Sequence, residues 1–319
     1  MKTFEQLKSL IDKEIENINL PQQPQNFYQP VKYILSFGGK RIRPVFTLMA
    51  CDMFGGDIAL AVKPAIGLEI FHNFTLLHDD IMDNSSLRRG KQTVNKKWND
   101  NIAILSGDGM AFIASQYIFA APTNVVSQVG DVYFKTALEV CEGQQYDMDF
   151  ETRSNVSENE YVEMIRLKTA VLPAACLKIG AIIAGVDNEV ADKLYQAGIN
   201  IGLAFQLQDD MLDVYSDEKT LGKPIGGDIE ENKKTFMLIS AINRYGDKEK
   251  FLEIINNKSL SRQQKYDIVR EIYDKLGIRR LAQEKIDFYF NNTYNIIDTL
   301  DTNTTELRKF IDKIYKRDR

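Results

Sequence analysis

The sequence predicts an all-α chain, and three observations predict it. Long segments carry apolar residues at helical spacing. No segment sustains the period-two alternation of strands on a half-buried sheet. Almost every candidate element is long with one apolar face, which suits a bundle of helices packed around central ones. The 319 residues, 44% of them apolar, are ordinary for a globular chain, and length alone admits one domain or two.

From the N-terminus, Phe4, Leu7, Leu10, Ile11, Ile15 and Ile18 mark one face of a first helix within Met1 to Leu20, interleaved with acids and lysines. It lacks the continuous apolar core of a signal peptide. Pro21 and Pro24 separate it from a second helix that runs to about Ser36, which Phe37-Gly38-Gly39 then breaks. Breaks at Gly55-Gly56 and at Gly90 bracket an apolar stretch, Ile66 to Leu77. The polar stretch Glu151 to Glu160 divides the middle of the chain, and Ser216 to Asn232 reads as a long loop. The longest apolar stretch, Ala170 to Val186, is interrupted by Pro173 and Lys178. It falls short of the roughly 20 residues of a membrane span, so no crossing is expected. No repeat of solenoid period is present. A net charge of −5 argues against a general nucleic-acid binder. Cys51, Cys141 and Cys176 have neither metal-ligand spacing nor a paired framework, which fits a reducing cytoplasm.

Two acidic clusters carry the chemistry. Asp79, Asp80 and Asp83 end the first apolar stretch, and helical spacing stacks Asp79 over Asp83 while turning Asp80 partly aside. Stacked carboxylates cost free energy unless a cation sits between them, and oxygen-only ligands suit Mg²⁺ or Ca²⁺. An EF-hand loop is excluded by the absence of its Gly at the sixth position and its Glu at the twelfth. The pattern recurs as Asp209, Asp210 and Asp213 after a second apolar stretch, Ile199 to Leu207. Mg²⁺ is usually bound by one or two carboxylates together with substrate phosphates, so a doubled cluster points to a phosphorylated ligand. Gly38-Gly39-Lys40-Arg41-Ile42-Arg43-Pro44 offers backbone N–H groups beside two glycines and three cations within four residues, a setting for a diphosphate.

These two DDxxD motifs, with Gly38 to Pro44 ahead of them and Arg88-Arg89-Gly90 behind the first, resemble the trans-isoprenyl diphosphate synthases, also called polyprenyl synthetases. The resemblance runs from about residue 30 to the C-terminus. It implies a single isoprenoid-synthase-type domain over residues 1–319, a large helical bundle with the two motifs facing each other across a deep central cavity. It implies three Mg²⁺ per active site, held by Asp79, Asp80, Asp83, Asp209, Asp210 and Asp213. Gly39, Lys40 and Arg43, helped by His72 and Arg89, match the residues that hold the diphosphate of isopentenyl diphosphate. His72 lies seven residues before Asp79, two turns of one helix. Arg88, Lys168, Thr169 and Gln206 match those at the allylic diphosphate. Lys223 and Lys233 match the lysines of a mobile lid, with Asn232 where many members carry Gly. Gln144 and Asp147 have a supporting role, His78 reads as a structural neighbour of the acids, and the basic tail from Lys313 to Arg319 is similar to one that closes over the homoallylic site.

The reaction implied is ionisation, condensation and elimination, with Asp79, Asp80, Asp83, Asp209 and Lys168 as the catalytic set. An allylic diphosphate (dimethylallyl, geranyl or farnesyl) and isopentenyl diphosphate are the substrates, and a cytoplasmic homodimer is the usual assembly. Phe74 stands five residues before Asp79, about 7.5 Å down the helix, with the smaller Thr75 beside it. A lone aromatic at that position resembles twenty-carbon synthases, so geranylgeranyl diphosphate is favoured over farnesyl diphosphate. Two rivals keep the fold: a class I terpene cyclase, against which the fully acidic second motif argues, and a non-catalytic partner subunit, against which the intact acids argue.

Overall fold

Local chemistry sets several helix starts. In the computed structural model, which describes residues 1–216 and 225–316, Thr3 closes a capping box with Gln6 at the start of α1 (Phe4–Glu16). There follow α2 (Gln25–Leu35), α3 (Ile42–Met53), α4 (Ile58–Met82), α5 (Val94–Lys97), α6 (Asp100–Ile118) and α7 (Val126–Thr152). After them come α8 (Glu158–Ile165), a π-helical turn (Arg166–Ala170), α9 (Val171–Ala184) and α10 (Asn188–Tyr215). The chain ends with α11 (Gly227–Glu230), α12 (Phe236–Arg244), α13 (Lys248–Ile255), α14 (Arg262–Lys275), α15 (Ile278–Asp298) and α16 (Thr305–Tyr315). Ser157 with Glu160 and Ser261 with Gln264 form the same capping box at α8 and α14. The class is all-α, as the periodicity predicts. One antiparallel hairpin interrupts it, Leu87–Arg88 (β1) against Lys91–Gln92 (β2), too short for any alternation to register in the sequence.

The chain divides into two compact units. The first comprises Met1–Lys135, Ala175–Tyr195 and Leu300–Leu307. Its axis is α4, whose 25 residues are apolar on nearly every side and therefore packed on several sides, chiefly by α6 and α3. Leu68, Ile70 and Leu77 of α4 join Phe46, Leu48 and Met49 of α3 in its core, and α1 adds Leu7, Ile11 and Ile15 at four-residue spacing.

The second unit comprises Thr136–Ala174, Gln196–Thr299 and Arg308–Arg319. Its core holds Phe251, Tyr273, Ile286 and Phe290, with α12 packed on α8 and α15, and α11 on α14. Pro173 and Lys178 do not break the apolar stretch as the sequence suggests. Glu158–Ala184 is one helical run of 27 residues, long and apolar enough by composition to cross a bilayer, but 78% of its apolar window is buried, which is how a core helix passes the same test.

Candidate active site

The first acidic cluster closes α4, where backbone carbonyls already present partial negative charge, so its carboxylates need cations nearby. Asp83 is the C-cap, its N–H donating to the Asp79 carbonyl at 2.8 Å. Asp80 is buried, 1% exposed, and one cation has already claimed it: Arg88 Nε donates to Asp80 Oδ1 at 2.9 Å and Oδ2 at 3.0 Å, and Arg88 Nη2 lies 2.8 Å from Oδ1. Burial raises the Asp80 carboxyl above its ordinary value, with Arg88 opposing. The hairpin makes this possible. Arg88 sits on β1, and the chain then turns through Arg89 and Gly90 at φ of 52° and 75°, so neighbouring arginines point apart.

Arg89 reaches instead to the Gly38 carbonyl. Gly39 is required there, because a Cβ at its φ of 144° would lie 2.5 Å from Arg89 Nη1. The three cations of the Lys40 to Arg43 segment part company. Lys40 is exposed, Arg41 turns inward, and the partly buried Arg43 places Nη1 3.0 Å from His72 Nε2. Burial, reinforced by the surrounding arginines, holds the His72 imidazole well below its usual range. It is therefore neutral, with Nε2 as the acceptor for Arg43. Arg43 Nε is a buried donor without a hydrogen-bond partner among the described residues, an opening for an anion.

The second unit builds its cluster differently. The π-helical turn Arg166–Ala170 widens the helix at Lys168 and Thr169, a common device at functional sites. Gly143 of α7 lets that turn approach, since a Cβ there would sit 2.2 Å from the Lys168 nitrogen. Lys168 Nζ pairs with Asp147 at 2.5 Å. Thr169 Oγ1 donates to Gln206 Oε1 at 3.1 Å, and Gln206 Nε2 donates to Asp210 Oδ1 at 3.0 Å. The Tyr161 hydroxyl donates to the other oxygen of Asp210. Asp210 is thus satisfied by neutral donors, and burial, with Asp228 nearby, pushes its carboxyl up to about 7. Asp213 is fully buried and accepts from the Asp228 N–H at 3.0 Å. Lys233, Lys234 and Thr235 line the same cleft as Lys168, Thr169 and Asp210.

Residues 24–275 match the polyprenyl synthetase family. The chain belongs to that family. It is 41% identical over 239 residues to a geranylgeranyl diphosphate synthase of Methanosarcina mazei, 74% of either chain. It is 35% identical over 314 residues to a geranylgeranyl pyrophosphate synthase of Geoglobus acetivorans, covering 97% of this chain and 96% of the other. A crystal structure of a geranylgeranyl pyrophosphate synthase superimposes with a TM-score of 0.95 at 41% identity, covering 99% of this chain and 98% of that one. As a polyprenyl synthetase of the short-chain trans-isoprenyl diphosphate synthase type, the chain is a prenyltransferase.

Within this family member, the first unit brings together Gly39, Arg43, His72 and Arg89, and separately Asp80 and Arg88. The second brings together Lys168 with Asp147, and Thr169, Gln206 and Asp210. Lys223 and the tail residues Arg317 to Arg319 lie outside the described residues. Before them, Tyr315 packs on Phe290 and its carbonyl accepts from Gln208. Asn232 takes the left-handed turn expected where relatives carry Gly, with φ of 57°. Tyr161 and Lys234 escape sequence reading. Nothing in the sequence around Tyr161 marks it, and Lys234 stands beside Lys233 with no pattern of its own.

Proposed function

We propose that the chain condenses isopentenyl diphosphate head-to-tail with an allylic diphosphate, using Mg²⁺, to give geranylgeranyl diphosphate. The observation that carries the proposal is the pairing of a guanidinium set, Arg43 and Arg89 with neutral His72, and an acidic helix end, Asp79 and Asp83, on one helical unit. The donor chemistry fits the metal. All candidate ligands are carboxylate oxygens, and among the described residues no three His, Cys, Asp or Glu side chains form a ready-made cage. Carboxylate oxygens are the hard donors that suit Mg²⁺, which takes its remaining ligands from phosphate and water. On the first unit Asp79 and Asp83 would hold Mg²⁺, and on the second Asp209, with Asp213 in support. A divalent cation held by these carboxylates would supply charge neutralisation for the leaving diphosphate.

The chain's own residues do the rest. Lys40, Arg43 and Arg89 anchor the diphosphate of isopentenyl diphosphate, so that its double bond is presented to the allylic cation. Arg88, Lys168 and Lys233 neutralise charge on the allylic diphosphate, and the Thr169 hydroxyl donates a hydrogen bond to it. Asp80 and Asp210, already engaged by Arg88 and by Tyr161 with Gln206, orient those groups more than they ligate. The departing diphosphate takes the proton lost after bond formation. No side chain of this set is needed for that step.

Chain length is set by Phe74. Its ring is half-buried and packs between Phe71, 5.5 Å away, and His78, 4.8 Å away, while Thr75 ties its hydroxyl to the His72 carbonyl. Relatives named geranylgeranyl diphosphate synthase support twenty carbons, beside others named for geranylfarnesyl diphosphate, and farnesyl diphosphate is the second reading. Phe74→Ala should lengthen the product, read by chromatography after dephosphorylation; an unchanged distribution would place the stop elsewhere.

We take the protein as one domain, because four of the five unit boundaries fall inside helices, α7, α9, α10 and α16, and as cytoplasmic, because its three cysteines show no paired framework. We take it also as a homodimer. Leu105, Phe112, Phe119 and Phe134 of the first unit are 50–73% exposed, more apolar surface than an isolated subunit would carry to no purpose. A monomer by light scattering at micromolar concentration with full activity would remove the dimer.

A further inference from the structure

We propose that Glu69 is a positioning residue for isopentenyl diphosphate: a buried anion that gathers Arg41, Arg43 and Arg89 and holds the 38–43 loop in its binding shape. The inference rests on the reading of Lys40, Arg43 and Arg89 as the anchor of that substrate.

Of the three cations between Lys40 and Arg43, Arg41 is spent on the protein. It is 5% exposed and enters α3 from a left-handed φ of 52°. Its Nη1 donates to Glu69 Oε1 at 2.7 Å, its Nε to Asp12 Oδ1 at 2.9 Å and its Nη2 to the Leu35 carbonyl at 3.3 Å. Three different helices, α4, α1 and the end of α2, therefore pin the loop from behind. A non-glycine residue keeps a left-handed backbone only where its surroundings over-determine it, and this guanidinium is that determinant.

Glu69 is 3% exposed and stands on α4 one turn before His72. Asn73 Nδ2 caps it, donating to the Glu69 carbonyl at 2.7 Å and to Oε1 at 3.4 Å. Burial works against the charge on Arg41, Arg43 and Arg89 and holds the last two below their ordinary range, with Arg89 and Arg43, and Arg41 and Arg89, repelling each other; the Glu69 charge opposes that loss at all three and prevails at Arg41. Before a diphosphate arrives, a buried carboxylate beneath the array is what makes it favourable for the guanidiniums to converge. Glu69 touches no phosphate. Its effect passes through Arg41 to the Gly38-Gly39 turn, and through charge to Arg43 and Arg89.

A salt bridge that only stabilised the fold would not distinguish the two substrates. Steady-state kinetics of the full chain with Mg²⁺, varying each substrate separately, would separate the cases, with melting temperature recorded in parallel. Glu69→Gln should raise KM for isopentenyl diphosphate tenfold or more while KM for the allylic substrate stays within twofold, and Glu69→Asp, which keeps the charge, should recover most of the loss. An unchanged KM for isopentenyl diphosphate in folded Glu69→Gln, or equal rises in both constants, overturns the inference. Should Glu69→Gln not fold, Asp12→Asn carries the test from the exposed side of the network. A rise of about threefold confined to isopentenyl diphosphate supports the inference, and no rise or an equal one overturns it. A wild-type chain that consumes no isopentenyl diphosphate overturns the site reading as well, and is seen before any variant is measured.

Discussion

The same acidic pattern closes α4 in one unit and lies near the end of α10 in the other, but the second aspartate of each is held by different chemistry. Asp80 is paired with Arg88, a full charge on each side. Among the described residues Asp210 accepts from neutral hydroxyl and amide donors, Tyr161 and Gln206, and burial pushes its carboxyl up to about 7 although the Lys233 charge opposes it. A repeated motif therefore need not mean a repeated site. The outer aspartates share a spacing suited to a divalent cation, while each middle one is set by whatever partner its fold supplies: a hairpin arginine in the first unit, a tyrosine of α8 in the second.

The largest expected effect tests what the two clusters share. Asp79→Ala and Asp209→Ala should each lower turnover by roughly three orders of magnitude or more, because each removes a carboxylate from metal-dependent charge stabilisation. A variant within a few-fold of the parent, or full activity in excess chelator, would remove the metal role. Next in size is the division of labour. Arg43→Ala should raise KM for isopentenyl diphosphate roughly tenfold to a hundredfold, and Lys168→Ala should act mainly on the allylic substrate, in initial-rate kinetics with one substrate held saturating. Equal effects on both would erase the distinction between the units. Smallest is the difference between the middle aspartates. Arg88→Gln leaves Asp80 as a buried carboxylate without its cation and should cost about 2 kcal/mol in denaturant unfolding, against about 1 kcal/mol for Tyr161→Phe, which removes one neutral donor. Equal costs would mean that the charge pair is no stronger than the hydroxyl.

The class of the fold and the outline of the site are legible in the sequence because their signals are local. Helical spacing marks α4 and α10, and four- or five-residue patterns mark Asp79 to Asp83, Asp209 to Asp213 and Gly39 to Arg43. What the sequence hides is separated along the chain. Arg41 is one cation of a basic segment with no role of its own until its partners appear, and Asp12 and Glu69 lie 29 and 28 residues away. Tyr161 is 49 residues from Asp210. The π-helical turn at Lys168 leaves no periodic trace, and its one clue, Gly143 on another helix, gains meaning only when the two meet. The two-residue strands that aim Arg88 and Arg89 apart are below any alternation test, although Gly90 marks their turn.

The central claim is that two diphosphates react with each other here. Its most direct test measures diphosphate release by the purified chain with Mg²⁺ and either or both of farnesyl diphosphate and isopentenyl diphosphate. The account predicts release only when both are present, in step with the appearance of a twenty-carbon prenyl diphosphate. Release from farnesyl diphosphate alone, giving a cyclised hydrocarbon, or no release from either mixture, would contradict it.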